Sequence, residues 1–223
     1  FCTTPWLTER HGYDPTLENR GLFMETNIKE ESGLKFQFPE NDTVIKFDDT
    51  KFYRDYFNKL PESKGVDFIS VAKDKIAFIE VKNCTGDEGN CRWRIAPDNQ
   101  KRNTVHTSVN VEGRDSLDIE VAQKTAMTIA ALVGAKSFGD TKECLAEFKE
   151  CIHFLSKNTF SDFSKKKYVI LFLEGDFGST TRSKKMIMKA LQDSMKKKLQ
   201  WINCRVSVVD SDTYDSEIFQ IVS

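Results

Sequence analysis

Asp67, Glu80 and Lys82 lie within the stretch Gly65–Asn83, G-V-D-F-I-S-V-A-K-D-K-I-A-F-I-E-V-K-N. Two carboxylates brought together repel each other unless a cation lies between them, and hard oxygen donors suit Mg²⁺ or Mn²⁺. A lysine beside them can orient or deprotonate an attacking water, or offset charge that builds on phosphorus during a displacement. The chemistry open to this set is metal-assisted attack of water on a phosphate ester. The competing reading is a charged, solvated sheet face.

For these side chains to meet, the stretch must fold as a hairpin. Val66 to Ala72 and Ile76 to Lys82 are rich in Val, Ile and Phe, and the polar pair Lys73-Asp74 separates them. The period of two puts Glu80 and Lys82 on one face, with Ile76 and Phe78 behind them. A two-residue turn sets Ala72 opposite Lys75 and, counting outwards, Asp67 opposite Glu80. A three-residue turn would put the two acids on opposite faces.

At these residues the chain resembles the PD-(D/E)XK nuclease superfamily, whose motif is an acid on one strand followed by acid-x-Lys on the next. Asp67 matches the first acid, with Val66 where that family often has proline, and Glu80-Val81-Lys82 matches E-x-K. The resemblance implies Mg²⁺ or Mn²⁺ held by Asp67, Glu80 and the Val81 carbonyl, with Lys82 serving the water. It implies a further acid from a helix before the motif, for which Glu18 and Glu25 are the candidates and Asp55 a reserve. It also implies a Gln or Lys facing the site from a later helix. Gln123 and Lys124 stand in that place, although Met127 replaces the tyrosine of a Q-x-x-x-Y pattern. The implied activity is Mg²⁺-dependent endonucleolytic hydrolysis of DNA phosphodiesters; the alternative is an inactive nuclease fold that binds DNA or protein. The implied partner is DNA, with room for a homodimer and no role for a membrane.

Composition bounds the rest. The chain has 223 residues, 39% of them hydrophobic and seventeen of them phenylalanine, enough for one well-packed domain. Thirty-three basic against thirty-four acidic residues give a net charge of −1, so any polyanion must be met by a local patch. No run reaches the length of a membrane span and no signal-like segment opens the chain. The first residue is Phe1, so an upstream portion is expected. Six cysteines in a chain of this size read as thiols in a reducing cytoplasm. Cys84 and Cys91 flank a Gly-Asp-Glu-Gly loop, but no second close pair completes a zinc site.

Taken in order, the spacing predicts a helix from Asp14-Pro15 to Gly33, then a hairpin of Leu34–Phe38 with Val44–Phe47. A helix over Thr50–Leu60 leads into the motif hairpin. Asn83 to Arg102 reads as a long polar loop, and its Arg92, Arg94, Lys101 and Arg102 interleave with Trp93 as candidate DNA contacts, a solvated loop being the alternative. Val105–Val111 alternates as a third strand, with His106 on its opposite face. Helices over Ser116–Gly134 and Thr141–Ser156 follow. The apolar run Tyr168–Leu173 is a strand covered on both faces. After Gly175 to Thr181, a basic amphipathic helix reaches about Leu199, and Arg205–Val209 returns as a strand. That Gly-containing loop lacks the ending of a P-loop. Lys165–Lys167 and Lys196–Lys198 read as solvated faces, an extension of a DNA-tracking patch being the alternative. The expected fold is α/β: a restriction-endonuclease-like αβββαβ core over about residues 14–175, with a mixed central sheet flanked by helices and an αβ extension over 176–223.

Overall fold

The computed structural model describes residues 27–100, 114–139, 141 and 143–222. Its strands are β1 (Ile28–Glu31), β2 (Leu34–Gln37), β3 (Thr43–Lys46), β4 (Phe68–Val71), β5 (Lys75–Asn83), β6 (Lys166–Glu174), β7 (Arg205–Val209) and β8 (Gln220–Val222). Its α-helices are α1 (Lys51–Asp55), α2 (Glu88–Arg94), α3 (Leu117–Lys136), α4 (Lys149–Leu155) and α5 (Lys184–Lys198).

The central sheet has the order β3-β4-β5-β6-β7. Its first three strands form an antiparallel meander, and β5, β6 and β7 run parallel. Phe68 pairs with Ile79 and Val71 with Ile76, so the turn at Lys73-Asp74 is the two-residue one. The Ala72 N–H donates to the Lys75 carbonyl at 2.9 Å, closing the hairpin in the register the sequence predicts.

Alternation along the strands feeds two cores. Ile69, Phe78 and Leu171 face the helices, against Val121 and Leu132 of α3, Phe154 of α4 and Leu191 and Met195 of α5. Phe68, Ile79 and Phe172 face the other way, where the small sheet β1-β2-β8 covers them. There Phe36 meets Phe172 and Phe219 edge to face, with ring centroids 5.2 and 5.4 Å apart, the arrangement aromatic quadrupoles favour. The helices that flank the central sheet thus gather on one face. The β6 run is buried on both sides, as a parallel central strand requires.

Local signals set the element ends. Thr50 caps α1 by accepting the Tyr53 N–H, and Ser183 caps α5 by accepting the Met186 N–H. Lys196–Lys198 fall in the last turn of α5, where cations complement the helix dipole. Gly65 must be glycine because a Cβ there would lie 2.3 Å from the Phe47 ring, which is itself fully buried. This close approach brings the chain into β4 two residues before Asp67.

Several expectations need correction. Ile28–Glu31 is a strand turning through Ser32-Gly33 into β2, so the predicted first helix does not reach Gly33. Leu34–Gln37 does not pair with Thr43–Lys46: β2 lies between β1 and β8, and β3 joins β4 in the central sheet. The segment after Asn83 is not all loop, since it holds α2, and Cys84 and Cys91 are joined in a disulfide, which removes the zinc reading and the reading of this pair as thiols. Helical structure after Thr50 shortens to α1 plus a 3₁₀ turn over Phe57–Lys59. Lys167 is buried, its ammonium donating to the Phe160 carbonyl at 2.9 Å, not solvated. Glu18, Glu25, Lys101, Arg102 and the predicted strand Val105–Val111 with His106 lie outside the described residues. Among the described residues no helix is long and apolar enough to cross a membrane.

Candidate active site

Asp67 directly precedes β4 and Glu80 lies on β5. Extending the Phe68–Ile79 pairing by one residue sets them opposite each other on the helix-covered face. Both are buried, at 8% and 4% exposure. The Val81 N–H donates to Asp67 Oδ2 at 2.7 Å, which fixes that carboxylate across the mouth of the hairpin. In a strand the N–H and C=O of one residue point to the same side, so the Val81 carbonyl also turns toward Asp67. Glu80 Oε1 accepts from Lys124 Nζ at 2.6 Å, whereas Glu80 Oε2 is buried with no hydrogen-bond partner among the described residues. Lys124 Nζ also lies 3.6 Å from Asp67 Oδ1.

Burial and shared charge control the titration of this group. Burial raises the Asp67 carboxyl to about 6 against the pull of Lys124. Burial, then repulsion from Asp67, raises Glu80 to about 8. Lys124 is held above the ordinary lysine range: burial opposes its charge, but Glu80 and Asp67 outweigh burial. One ammonium group balances one of two acids, and the other keeps a proton near neutrality.

One side of α3 positions the group. Glu120, Lys124 and Thr128 recur every four residues, so they line one flank of the helix. Thr128 Oγ1 accepts the Val66 N–H at 3.0 Å, pinning the chain beside Asp67. Lys124 reaches the acids, and Glu120 pairs with Arg94 of α2. The start of α3 is anchored by Asp118, fully buried, which accepts from Ser194 Oγ at 2.7 Å and pairs with Lys198 Nζ at 2.8 Å, both on α5. Burial opposes charge on Asp118, yet bonds from Lys198, Ser116 and Ser194 hold its carboxyl below the usual range.

Lys82 follows two residues after Glu80 on the same face and is partly buried. Burial, then the positive charges of Arg94 and Arg114, pull its pKa below the ordinary lysine value. Arg94 is 6% exposed; beyond its pair with Glu120, its Nε and Nη1 are buried without hydrogen-bond partners among the described residues. α2 is tied to the end of β5 by the Cys84–Cys91 disulfide, with Cα atoms 6.2 Å apart. Gly175, at φ +125°, lets β6 pass against Cys84, whose N–H donates to the Glu174 carbonyl at 2.8 Å.

The oxygens offered to a cation are therefore Asp67 Oδ1, the unpartnered Glu80 Oε2 and the Val81 carbonyl. They are of the type Mg²⁺ takes, few in number as its preference for retained waters allows. Among the described residues no cluster of three or more His, Cys, Asp or Glu is placed to hold a metal ion.

A profile for a family of unknown function (DUF6661) matches residues 50–223. The chain belongs to that family. The matched span holds Asp67, Glu80, Lys82, Arg94, Glu120 and Lys124, and leaves out β1, β2 and β3. No curated protein and no solved structure matches the chain.

Within the family's span, the structure brings together Asp67, Glu80 and the Val81 backbone, with Lys82 two residues along the same strand face. It adds Lys124 in place of Gln123, which is exposed and accepts from Lys64 Nζ at 3.3 Å. Gln123 makes no hydrogen bond to Asp67, Glu80 or Lys82 among the described residues, a correction of its expected role. A turn of α3 separates residues four apart, so Glu120, Lys124 and Thr128 share a side that position 123 does not. Arg92 is exposed and Arg94 buried, so the two arginines of α2 do not act alike. Asp55 is exposed on α1. Two residues escaped the sequence reading. Glu120 was hidden as one more acid on a helix, although it stands one turn before Lys124. Asp48, just past β3, has Oδ1 buried without a hydrogen-bond partner among the described residues and adds repulsion felt at Asp67. A cavity of about 500 Å³ at the turn end of the hairpin, lined by Lys73, His153 and Lys165, touches none of these groups.

Proposed function

We propose that this protein is a Mg²⁺- or Mn²⁺-dependent hydrolase of DNA phosphodiesters, with its site at Asp67, Glu80 and Lys82. The observation that carries the reading is the buried pair of facing acids, one of whose oxygens, Glu80 Oε2, has no hydrogen-bond partner among the described residues. A fold that needed this pair only for packing would gain by replacing it with apolar residues, because unpaired buried charge is costly. The element order lends support: three antiparallel strands, then the helices α2, α3 and α4, then a strand parallel to the third are compatible with an elaborated βββαβ part of the PD-(D/E)XK core. In this reading the acids sit on the second and third strands of the meander, since β3 precedes them.

Asp67, Glu80 and the Val81 carbonyl would hold the ion. Bound there, it would supply Lewis-acid charge that acidifies a water and offsets negative charge growing on phosphate. Lys82 is suited to take or hold a proton, because burial and the Arg94 and Arg114 charges favour its neutral form. Lys124 holds the acids in place through its 2.6 Å bond to Glu80. The Val81 N–H fixes Asp67, so each carboxylate has its own orienting donor.

One observation favours a second reading. Lys124 Nζ lies between the acids, where a cation would otherwise balance them, so the cluster could be a metal-free scaffold for binding DNA. Incubating the protein with single-stranded, duplex and branched DNA, with Mg²⁺ and with chelator, separates the two. Cleavage that chelator abolishes supports the hydrolase; binding without cleavage under any divalent ion supports the scaffold.

A further inference from the structure

We propose that Arg94 is the seat of one DNA backbone phosphate beside Lys82, with Glu120 as the positioning residue that holds its guanidinium. The choice of ligand rests on the hydrolase reading of Asp67 and Glu80. A guanidinium carries five N–H donors and cannot shed its charge, so burying it with donors unspent is expensive. Arg94 is 6% exposed and spends Nη2 on Glu120, while Nε and Nη1 have no hydrogen-bond partner among the described residues. An oxyanion completes such a group best, and a phosphate presents oxygens that match the guanidinium fork.

Position selects the phosphate. Glu120 and Lys124 are one turn apart on the same side of α3, so Arg94 stands one turn along the helix from the facing acids. A backbone that put one phosphate at Asp67 and Glu80 would carry its neighbour toward this guanidinium. Arg94 is also held in advance. The Cys84–Cys91 disulfide anchors its helix, Trp93 Nε1 donates to the Arg114 carbonyl at 3.0 Å, and Asn99 Nδ2 donates to the Trp93 carbonyl at 2.9 Å. A side chain fixed this firmly loses little freedom when a ligand arrives. Arg92 on the same helix is exposed, so it lacks the burial that makes unspent donors costly.

The test is binding of a fluorescently labelled DNA duplex in chelator, where no cleavage occurs, across a salt series, for wild type, Arg94→Gln and Glu120→Gln. Arg94→Gln should bind about ten- to a hundredfold more weakly, and the slope of log K against log salt should shrink by about one, the mark of a lost phosphate contact. Glu120→Gln should weaken binding with the slope kept, because the arginine remains but is no longer held. If Arg94→Gln does not fold, Arg94→Lys takes its place: it should keep the slope and lose about tenfold in affinity, since a point charge lacks the fork. Unchanged affinity and slope in the folded arginine variant would overturn the proposal, as would absence of DNA binding by the wild type. Arginine-dependent binding by a protein that cleaves nothing under Mg²⁺ would leave this inference standing and end the hydrolase reading.

Discussion

Lys124 Nζ lies 2.6 Å from Glu80 Oε1, so a helix-borne ammonium partly neutralises a carboxylate buried on the sheet. Asp67 Oδ1, 3.6 Å from the same nitrogen, shares that charge. With both acids ionised the cluster is one positive charge short of neutrality; near pH 7 a retained proton fills that gap, and a divalent ion can take the proton's place.

Replacing Lys124 by Met should expose that shortfall. Removing one partner of a buried pair typically costs about 3 kcal/mol, so the variant should unfold at lower urea concentration in chelator. Mn²⁺ should then bind more tightly than to wild type, because no ammonium competes for the oxygens. Denaturation with and without Mn²⁺ checks both; equal stability and equal affinity would show that Lys124 does not balance the acids.

Stability should fall as pH rises. The folded-state pKa values, about 6 for Asp67 and about 8 for Glu80, lie above the ordinary values of 3.8 and 4.5. The folded protein thus binds more protons than the unfolded chain between about pH 4 and pH 8, and the slope of stability against pH is negative there. This contribution is complete below the unfolded values and lost as pH passes the folded ones. Thermal midpoints in chelator should drop across this window, less so for Glu80→Gln, and Mn²⁺ should raise the midpoint more at about pH 8 than at about pH 5. A midpoint that climbs with pH in wild type but not in Glu80→Gln would contradict this.

How much of this arrangement could be read from residues alone depended on distance along the chain. The Asp67–Glu80 register follows from a two-residue turn and strict alternation, both local. Lys124 against Gln123 was open because their directions differ by about 100° on the helix, and only docking of Leu117, Val121 and Thr125 into the core sets the rotation. The small sheet was illegible: β1 carries Ile28 at a spacing that continues a helical series, and β2 finds β8 at the far end of the chain. β2 and β3 look like partners because a turn joins them, yet they enter different sheets. Gly86 and Gly89 made α2 read as loop, and Cys84 and Cys91, seven residues apart, gave no sign of a bond that depends on how α2 folds back.

That disulfide should matter locally. Closing so short a loop is worth about 2–3 kcal/mol in the chain-entropy picture. Cys84→Ser with Cys91→Ser should lose about that much stability, and amide exchange should accelerate over α2 more than over β5. Protection unchanged in α2 would mean that Trp93 and Asn99 hold the helix without the bond.

Lys82→Ala should lower DNA cleavage by about 10² or more, the scale of a positioned proton-transfer or charge-stabilising group. Mn²⁺ affinity should largely persist, because lysine contributes no oxygen. Rates and metal isotherms for the variant measure both; loss of metal binding together with activity would assign Lys82 a structural role instead.

The central claim is that Glu80 and Asp67 jointly hold a divalent ion on which DNA hydrolysis depends. The most direct measurement is calorimetric titration with Mn²⁺ beside DNA cleavage in Mg²⁺, on wild type and Glu80→Ala. The expected result is a saturable isotherm and chelator-sensitive cleavage for wild type, with both absent in Glu80→Ala, because one remaining carboxylate holds such an ion poorly. No Mn²⁺ binding by wild type, or equal cleavage by the two proteins, would contradict it and leave Asp67, Glu80 and Lys124 as a neutralised cluster inside a scaffold.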